Sequence, residues 1–470
     1  MISIAKIAEV SGITMPPSSQ PMAVAREIWK RLYTLPAGEI LRAHRGDFFR
    51  WDGTRWPEID QRDVRADVYK LLEHATYYHP KDGVLPFAPT QRKVTDVLDA
   101  LRAITIIESK TDAPLWIDRR ATPPASEIVA VQNGLLHVPS RRLLPHTTQF
   151  FNHYALPFRF DPDARSANRW LMFLDELWEH DPSSISALQE IFGYILAGGT
   201  SQQKMFLLVG PKRGGKGTIG RVLTGLLGAH QVAAPTLAGL STNFGLQPLI
   251  GNPLALISDA RLSSKADSRV VVERLLSISG EDTLTIDRKF KDPWTGRLPT
   301  RFVIMTNELP RLSDASGALV SRFILLILTK SFYGRENPQL TDELLSESPA
   351  ILNWSLEGLD RLTERGHFVH PSSGADALQQ LEDLSAPVSA FIRTCCIVEP
   401  TARVEVDALW AAWKAWCAAE NHKLQTKADF GKDLRAAVPM IKRSRPRVGE
   451  DREYWYDGIG LRSDISMDIP

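Results

Sequence analysis

The chain has little cysteine, no long apolar run and almost no net charge. Its three cysteines, Cys395, Cys396 and Cys417, form neither a paired framework nor the closely spaced pairs of a zinc site, which predicts buried, reduced thiols. No stretch of about 18 apolar residues occurs, and the first residues lack a basic-then-apolar leader. We therefore expect a soluble intracellular protein without a membrane partner.

Size and charge are those of a globular protein with several domains. The 470 residues carry a formal net charge of +1, with 43% hydrophobic and 24% charged residues. Because this length exceeds one ordinary core, two to four domains are expected. No global field attracts such a chain to nucleic acid, so any nucleic-acid contact must come from local clusters of cations.

The most informative segment is rich in glycine and lies between an apolar run, Met205–Val209, and a helical pattern, Ile219–Leu227. It reads Gly210-Pro211-Lys212-Arg213-Gly214-Gly215-Lys216-Gly217-Thr218. Glycines let backbone N–H groups surround a phosphate, and a helix N-terminus adds its positive dipole end. The segment therefore predicts a phosphate-binding P-loop, in which Lys216 reaches the β- and γ-phosphates. Gly217 stands where a hydroxyl residue usually follows the lysine, and Thr218 supplies that hydroxyl one residue later.

Further apolar runs predict a parallel sheet that is covered on both faces. Leu254–Ile257 leads to Asp259, Arg301–Met305 leads to Asn307, and Phe323–Leu328 is the last of these runs. Functional residues of such sheets gather at the carboxyl ends of the strands. Both polar residues are therefore expected beside the phosphate-binding lysine.

The two strand-end residues have different expected roles. Asp259 is expected to hold Mg²⁺ together with Thr218, directly or through water, and the alternative is a helix-capping carboxylate. Asn307 is expected to position the attacking water, and the alternative is an ordinary turn asparagine. Ala260 stands where many ATPases have a glutamate that orients water. The base therefore stays open among Glu273, Glu281 and Asp282.

Residues 284–297 alternate in polarity, turn and alternate again, just before the Asn307 strand. We expect the turn at Asp292-Pro293-Trp294-Thr295-Gly296 and DNA contacts from Arg288, Lys289, Phe290 and Lys291. Cations interleaved with aromatics suit single strands, because the charges follow the phosphates and the rings stack on bases. The alternative is a solvated hairpin whose rings pack inward.

An arginine at a subunit edge can stabilise transition-state charge on the γ-phosphate of a neighbouring subunit. Arg322, just before the last apolar run, is preferred for this role over Arg311. The alternative for both is a surface salt bridge.

The segments on either side have other patterns. Helical spacing over residues 22–34, 62–78 and 90–103, with hairpin patterns over Phe48–Trp56 and Ile128–Val138, predicts an α+β domain. Residues 166–199 are expected to be helical. Beyond residue 386, we expect helices over Val388–Val398, Leu409–Ala419 and Phe430–Val438 and a hairpin over Met440–Leu461, the order of a winged helix.

The C-terminal segment contains a basic run and a tryptophan stripe. Lys442, Arg443 and Arg445 are expected to contact DNA phosphates, and the alternative is a solvated face. The stripe, Trp410, Trp413 and Trp416, recurs at helical spacing and is more typical of a core than of a stacking platform.

Taken in order, these motifs resemble the phage and plasmid primase–helicase family, whose ATPase is a superfamily 3 helicase of the AAA+ class related to the poxvirus primase–helicase. Upstream segments that fit the family are Gln132–Leu136, Phe160–Asp163 and Leu188–Tyr194. The P-loop, the Asp259 strand end, Ile278–Asp282 with the basic hairpin, and Thr306–Pro310 follow in the family's order.

The resemblance implies a multidomain α/β protein. Its expected parts are an α+β helicase-associated domain (1–155), a helical collar (156–199), an AAA+ ATPase domain with a parallel sheet (200–385) and a winged-helix DNA-binding domain (386–470). It further implies a homo-hexameric ring that hydrolyses ATP with Mg²⁺ and moves on single-stranded and forked DNA during replication of a phage, prophage or plasmid. Such a protein would act in the cytoplasm of a bacterial host cell, and a separate primase or other replication protein is a possible partner.

Family members often have a primase domain, which we do not expect here because Asp161-Pro162-Asp163 is broken by proline and predicts a turn rather than a metal site. Two other functions stay open. The Gly-Lys-Gly-Thr spacing also occurs in small-molecule kinases, which need neither a basic hairpin nor a winged helix. The second is an ATP-binding DNA-binding initiator or switch with little unwinding activity, which Ala260 favours.

Overall fold

The computed structural model describes residues 12–118, 120–260, 267–310, 312, 314, 317–420, 422, 424–445 and 453–462. In these residues no helix combines the length and apolar composition that crossing a membrane requires. Arg311 and residues 446–452, the middle of the expected C-terminal hairpin, lie outside the described part of the chain.

The N-terminal part consists of short sheets around three helices. Its elements are β1 (Ile13–Thr14), α1 (Pro21–Leu32), β2 (Thr34–Leu35), β3 (Gly38–Glu39), β4 (Leu41–His44), β5 (Asp47–Arg50), β6 (Glu58–Ile59), α2 (Gln61–Glu73), β7 (Ala75–His79), β8 (Gly83–Pro86), α3 (Gln91–Thr105), β9 (Leu115–Trp116), β10 (Ile128–Val131), β11 (Gly134–His137), β12 (Arg142–Leu144) and β13 (Phe150–Phe151). Asp60 and Thr90 cap α2 and α3 by accepting backbone N–H bonds, as residues at this position commonly do.

Most sequence predictions for this part are confirmed, and one needs correction. The two hairpin patterns form the pairs β5–β6 and β10–β11. The helix expected over residues 62–78 ends at Glu73, because the following Ala-Thr-Tyr-Tyr-His segment forms β7 in a sheet with β1 and β8. Tyrosine and threonine favour a pleated, half-buried strand over a helix.

The middle part is built on a parallel sheet in the order β15-β16-β19-β14-β20. Its elements are α4 (Asn168–Leu177), α5 (Pro182–Leu196), β14 (Met205–Val209), α6 (Lys216–Leu227), β15 (Val232–Ala233), α7 (Leu237–Leu240), β16 (Leu254–Ile257), α8 (Ser268–Ser279), β17 (Leu284–Arg288), β18 (Lys291–Gly296), β19 (Arg301–Thr306), β20 (Phe323–Ile327), α9 (Leu340–Leu345), α10 (Ser348–Arg365) and α11 (Ala375–Ser385). The predicted parallel sheet is thus confirmed.

The sheet is buried on both faces because its strands are apolar at nearly every position; the exceptions are Arg301 and Thr306, which begin and end β19. Phe206 and Leu208 of β14 share one core with residues of α4, α5, α6 and α10. Met205 and Leu207 point the other way, into a core with residues of α7, α8 and α11. Alternate residues of a strand face opposite sides, so the continuous apolar run requires a helical layer on each. β14, an interior strand between β19 and β20, therefore leads into the glycine-rich segment from a fully packed position.

The C-terminal part combines three helices with short strands. Its elements are α12 (Pro387–Cys395), β21 (Cys396–Ile397), β22 (Arg403–Glu405), α13 (Val406–Ala419), α14 (Lys427–Ala437), β23 (Lys442–Ser444), β24 (Trp455–Asp457) and β25 (Gly460–Leu461). An antiparallel sheet has the order β22-β24-β23. Trp413 and Trp416 are buried in a core with Phe391 and Phe430, as the stripe predicted. The three cysteines are free and buried, and burial raises the pKa of Cys396 to about 12.

Candidate functional site

The glycine-rich segment forms a tight loop between β14 and α6. A side chain at Gly210 would collide with the Leu328 carbonyl, and a Cβ at Gly215 would lie 2.6 Å from Leu177 Cδ2. Gly215 also has φ +92°, a conformation that favours glycine. Both glycines are therefore required by the fold of the loop, which ends at the N-terminus of α6.

Lys216 is held at the centre of this loop. Its Nζ donates to the carbonyl oxygens of Gly210 at 2.6 Å and Pro211 at 2.8 Å, and to Asn307 Oδ1 at 3.1 Å. Burial lowers the pKa of the lysine. Asn307 follows β19, which lies beside β14 in the sheet, so the expected meeting of these two strand ends occurs.

Thr218 Oγ1 lies within the first turn of α6 and accepts a hydrogen bond from Arg221 Nη2 at 3.0 Å. The Nε of the same arginine donates to Thr341 Oγ1 at 3.0 Å. A Cβ at Gly217 would meet only Arg221 Nη1, at 3.3 Å. The guanidinium of Arg221 thus lies over the position where a hydroxyl residue usually follows the lysine, a contact that the motif alone does not predict.

Asp259 follows β16 by two residues and is exposed. β16 pairs with β19, so Asp259 lies at the same edge of the sheet as Asn307. It does not line the cavity that contains Lys216, Thr218 and Asn307. Ala260 is buried at 3% exposure. Asp259 thus lies at the expected end of the sheet but does not form part of the cavity wall.

That cavity has a volume of about 770 Å³ and is formed by the P-loop, α4 and the segment after β20. Sequence reasoning did not identify Phe173, Arg221, Phe332, Arg335 and Glu336 in its wall. Arg213 pairs with Glu336 at 3.3 Å, and the Arg335 guanidinium lies 5.8 Å from the Phe332 ring centre. The cavity therefore combines a glycine-rich loop at a helix N-terminus with aromatic and charged walls, a composition that suits a ligand with a phosphate group and an apolar part.

Arg322 and two of the candidate bases, Glu281 and Asp282, lie at the amino ends of the strands, opposite the P-loop. Arg322 ends a 3-10 turn before β20, and its Nη1 donates to Leu276 O at 2.7 Å and Ser279 Oγ at 2.8 Å. Parallel pairing of Met205 with Phe323 sets this end about five residues, or roughly 16 Å, from the P-loop. Glu281, next to Asp282, accepts a hydrogen bond from Thr200, which precedes β14. Arg322, Glu281 and Asp282 therefore do not reach the Lys216 cavity of their own chain.

The basic hairpin is present, but its turn is not where the sequence predicted it. Residues 292–296 belong to β18, and the tip is Lys289-Phe290, with Phe290 at φ +61°. Trp294 pairs with Ile286 and both are buried, which overrides the turn tendency of Asp-Pro-Trp-Thr-Gly. Pro293 is accommodated because the register shifts between Ile286 and Arg288.

The exposed groups of the hairpin differ from the expected set. Phe290 is 93% exposed, and Lys289 Nζ lies 5.3 Å from its ring centre. Arg288 forms an ion pair with Asp47, and Lys291 pairs with Asp47 at 2.9 Å and Glu58 at 2.5 Å. Two of the predicted DNA contacts are thus joined to carboxylates of the N-terminal part.

The basic run of the C-terminal part is exposed. Lys442 and Arg443 belong to β23, and Arg445 follows it. The guanidinium groups of Arg443 and Arg445 lie 4.0 Å and 4.9 Å from the ring centre of Tyr454. This arrangement holds two cations on one surface, next to an aromatic ring.

Family models match three segments of the chain. Residues 27–179 match the "D5 N terminal like" family, residues 208–322 match a family of unknown function (DUF5906), and residues 385–453 match the "Poxvirus D5 protein-like" family. Two solved structures of the NrS-1 C-terminal region share the fold at 12% sequence identity. The A-form apo structure has a TM-score of 0.51 and covers 92% of this chain and 99% of that chain. A second A-form apo structure, of residues 305–718, has a TM-score of 0.50 and covers 88% and 87%. The D5-like segments in this order, together with the shared fold, support a phage primase–helicase-like family.

Proposed function

We propose that this protein is an ATP-driven helicase or translocase that moves on single-stranded DNA as a homo-hexameric ring during replication of a phage, prophage or plasmid. The observation that supports this best is the hydrogen bond between Lys216 and Asn307, at 3.1 Å, in the P-loop cavity. Two neighbouring strands thereby supply a phosphate-binding cation and a polar group for water. The domain division expected from the sequence, with the ATPase over 200–385 and a winged helix over 386–470, belongs to this proposal.

The P-loop would bind the phosphates of ATP through its backbone N–H groups and the N-terminus of α6. Lys216 would exchange its loop carbonyl partners for the β- and γ-phosphate oxygens. A bound Mg²⁺ would neutralise charge on these oxygens, and it commonly takes only one or two protein ligands beside phosphates and water. The hydroxyl of Thr218 fits this role, because Arg221 uses only one of its lone pairs. Asp259 would act through water, since it lies outside the cavity wall.

Hydrolysis joins a water oxygen to the γ-phosphorus and breaks the bond to the β–γ bridging oxygen. Asn307 would orient that water from the end of β19. Arg322 lies too far from the P-loop of its own chain, so we assign it to the active site of the next subunit, where it would stabilise charge on the γ-phosphate. The remaining hydrogen bonds of Arg322 to α8 would connect that site to the segment leading into the hairpin.

On the DNA side, Lys289 and Phe290 of the hairpin tip would contact the strand inside the ring. The C-terminal cations Lys442, Arg443 and Arg445 would bind phosphates outside it. Arg288 and Lys291 would join the hairpin contacts only when they leave their carboxylate partners.

One observation favours a second function, an ATP-binding initiator or switch with little unwinding. Ala260 is buried where a glutamate would orient water, and Glu281 is bonded to Thr200 at the far edge of the sheet. Such a protein would bind ATP to assemble on DNA and turn it over slowly.

A forked-duplex unwinding assay with ATP separates these functions. Lys216→Ala should lose ATP hydrolysis and unwinding together. Lys289→Ala should keep basal hydrolysis and lose unwinding, and Lys70→Ala, an exposed lysine of α2, should behave like the wild type. Wild-type protein that hydrolyses no ATP, or a Lys216→Ala variant that still unwinds, would contradict the motor.

A further inference from the structure

A large groove lies beside the contact between the hairpin and the N-terminal part of the chain. Its volume is about 1140 Å³, and it is lined by Arg62, Arg65 and Arg102 on one side and by Arg288, Lys289 and Phe290 on the other. The P-loop cavity is a separate space with other lining residues. A phosphate-binding site at the strand ends does not account for this second concentration of arginines.

Three of the four carboxylates that line the groove are already paired with neighbouring cations. Asp47 and Glu58 hold Arg288 and Lys291, and Asp60 pairs with Arg62 at 2.6 Å. Six cationic and four acidic side chains line the groove, which leaves an excess of two positive charges. The groove thus has a local positive charge that the chain as a whole lacks.

Three of the cations have weak or no acidic partners. Arg65 contacts the neutral Thr95 hydroxyl at 3.3 Å, and Arg102 lies over the Phe48 ring at 5.1 Å. The Nε of Arg102 is buried and has no hydrogen-bond partner in the part of the chain that the structure describes. Arg62 is 88% exposed, so its pair with Asp60 contributes little and a phosphate can replace it.

An exposed aromatic ring completes the site. Phe290 projects from the hairpin tip at 93% exposure and lines the groove beside Lys289. An exposed aromatic ring offers a face on which a base can stack. A row of arginines along a groove can bind successive phosphates of a backbone. A duplex offers no free base faces to such a ring, so the combination favours a single strand.

We propose that this groove is a binding site for single-stranded DNA, in which Arg62, Arg65 and Arg102 of the N-terminal part bind phosphates and Phe290 stacks on a base. The site extends the path of the strand from the hairpin tip across α2 and α3, so the N-terminal part contacts DNA directly. This inference rests on the proposed function, because it assumes that the hairpin tip meets DNA.

Fluorescence anisotropy of a labelled dT20 oligonucleotide with the full chain tests the site. Arg62→Glu/Arg65→Glu should weaken binding at least tenfold, whereas Lys70→Glu, on α2 but outside the groove, should change it less than twofold. Arg62→Ala/Arg65→Ala should reduce the slope of log K against log salt by about 1.4, because each single-strand phosphate contact contributes about 0.7. Basal ATP hydrolysis of these variants should equal that of the wild type.

A photocrosslinking experiment locates the strand. A dT20 oligonucleotide with 4-thiothymidine should crosslink to peptides from α2 or α3 as well as to the hairpin, and a dT20·dA20 duplex should compete weakly. Replacing dT20 by rU20 shows whether the sugar matters; binding to rU20 with no binding to dT20 would overturn the assignment to DNA.

The outcomes separate this inference from the proposed function. If Lys289→Ala loses dT20 binding while both arginine double variants bind like the wild type with an unchanged salt slope, the groove is not the site and the motor stands. If wild-type protein does not bind dT20, the proposed function itself fails.

Discussion

Asp47 of the N-terminal part pairs with two cations of the hairpin, Arg288 and Lys291. Its carboxylate accepts from Arg288, which is 6% exposed, and from Lys291 at 2.9 Å. Asp47→Asn removes the negative charge and keeps the size and one acceptor oxygen. The substitution therefore changes the electrostatics of the hairpin without opening a cavity.

The expected cost follows from burial. Removing one partner of a buried ion pair typically costs about 3–5 kcal/mol. Arg288 keeps a hydrogen bond from Nε to the Asp292 carbonyl at 2.8 Å, and the new asparagine still offers an acceptor. We therefore expect Asp47→Asn to make docking of the hairpin on the N-terminal part less favourable by about 2–3 kcal/mol.

The same substitution should strengthen DNA binding. Arg288 becomes available to phosphate, while Lys291 stays with Glu58 at 2.5 Å. One additional phosphate contact raises the salt slope of single-strand binding by about 0.7. We expect dT20 affinity to increase about fivefold at low salt, which corresponds to about 1 kcal/mol.

Two measurements check this expectation. Hydrogen exchange of the amides in residues 284–296 reports hairpin docking, and anisotropy at several salt concentrations reports the affinity and its slope. Asp82→Asn is the matched control, because Asp82 is an exposed carboxylate of the same part, paired with His79 at 2.7 Å. Faster exchange in Asp47→Asn with unchanged or weaker dT20 binding would refute the reasoning that Asp47 competes with DNA.

Three further predictions concern the packing of α5 against α10, the nucleotide site and the pH dependence of stability. Gly193→Ala and Gly358→Ala should each destabilise the fold by about 1–3 kcal/mol in urea unfolding, because the new Cβ atoms would lie 2.8 Å from Leu359 Cβ and 2.6 Å from the Gln189 carbonyl. Gly217→Ala should not, because its Cβ would meet only the end of the Arg221 side chain, at 3.3 Å. Thr218→Ala should lose most ATP hydrolysis and Thr218→Ser should keep it, as measured by phosphate release over a Mg²⁺ titration; equal activity of the two would exclude the hydroxyl as a metal contact. Burial and the nearby His44 lower the pKa of His153 from 6.5 to about 4. The unfolded chain then binds the proton first, so stability is present above pH 6.5 and is lost as pH falls toward 4, by up to about 2 kcal/mol at pH 5. His153→Gln should remove that part of the pH dependence of the melting temperature, and an unchanged profile would show that His153 does not cause it.

The sequence predicted the parallel sheet and the meeting of Lys216 with Asn307 because both depend on local patterns. Continuous apolar strands must be parallel and covered, and residues that follow such strands share one edge. The cavity walls were not predictable in this way. Phe173 and Phe332 lie far apart in the sequence, with the P-loop and most strands of the sheet between them. They line the same cavity because α4 packs near the segment after β20.

The misplaced hairpin turn shows where local signals fail. Asp-Pro-Trp-Thr-Gly has the composition of a turn, but Trp294 gains more by burial opposite Ile286 than the turn tendency costs. The turn then moves to Lys289-Phe290, and this shift leaves Phe290 exposed at the tip. Tertiary packing thus decided which aromatic residue faces solvent, and with it which ring is available to a nucleic-acid base.

The two unusual features of the P-loop are explained by one neighbouring side chain. Gly217 offers no hydroxyl, and the space beside it is taken by Arg221, whose Nη1 would lie 3.3 Å from a Cβ at that position. The same guanidinium donates to Thr218 Oγ1 at 3.0 Å and to Thr341 Oγ1 at 3.0 Å, so it fixes the later hydroxyl from one side and connects it to α9 on the other. A serine at position 217 would have to share this space with a cation one helical turn away. The glycine and the displaced threonine therefore belong to a single arrangement, in which Arg221 brings a positive charge to the phosphate-binding loop and holds the only hydroxyl that its first helical turn provides.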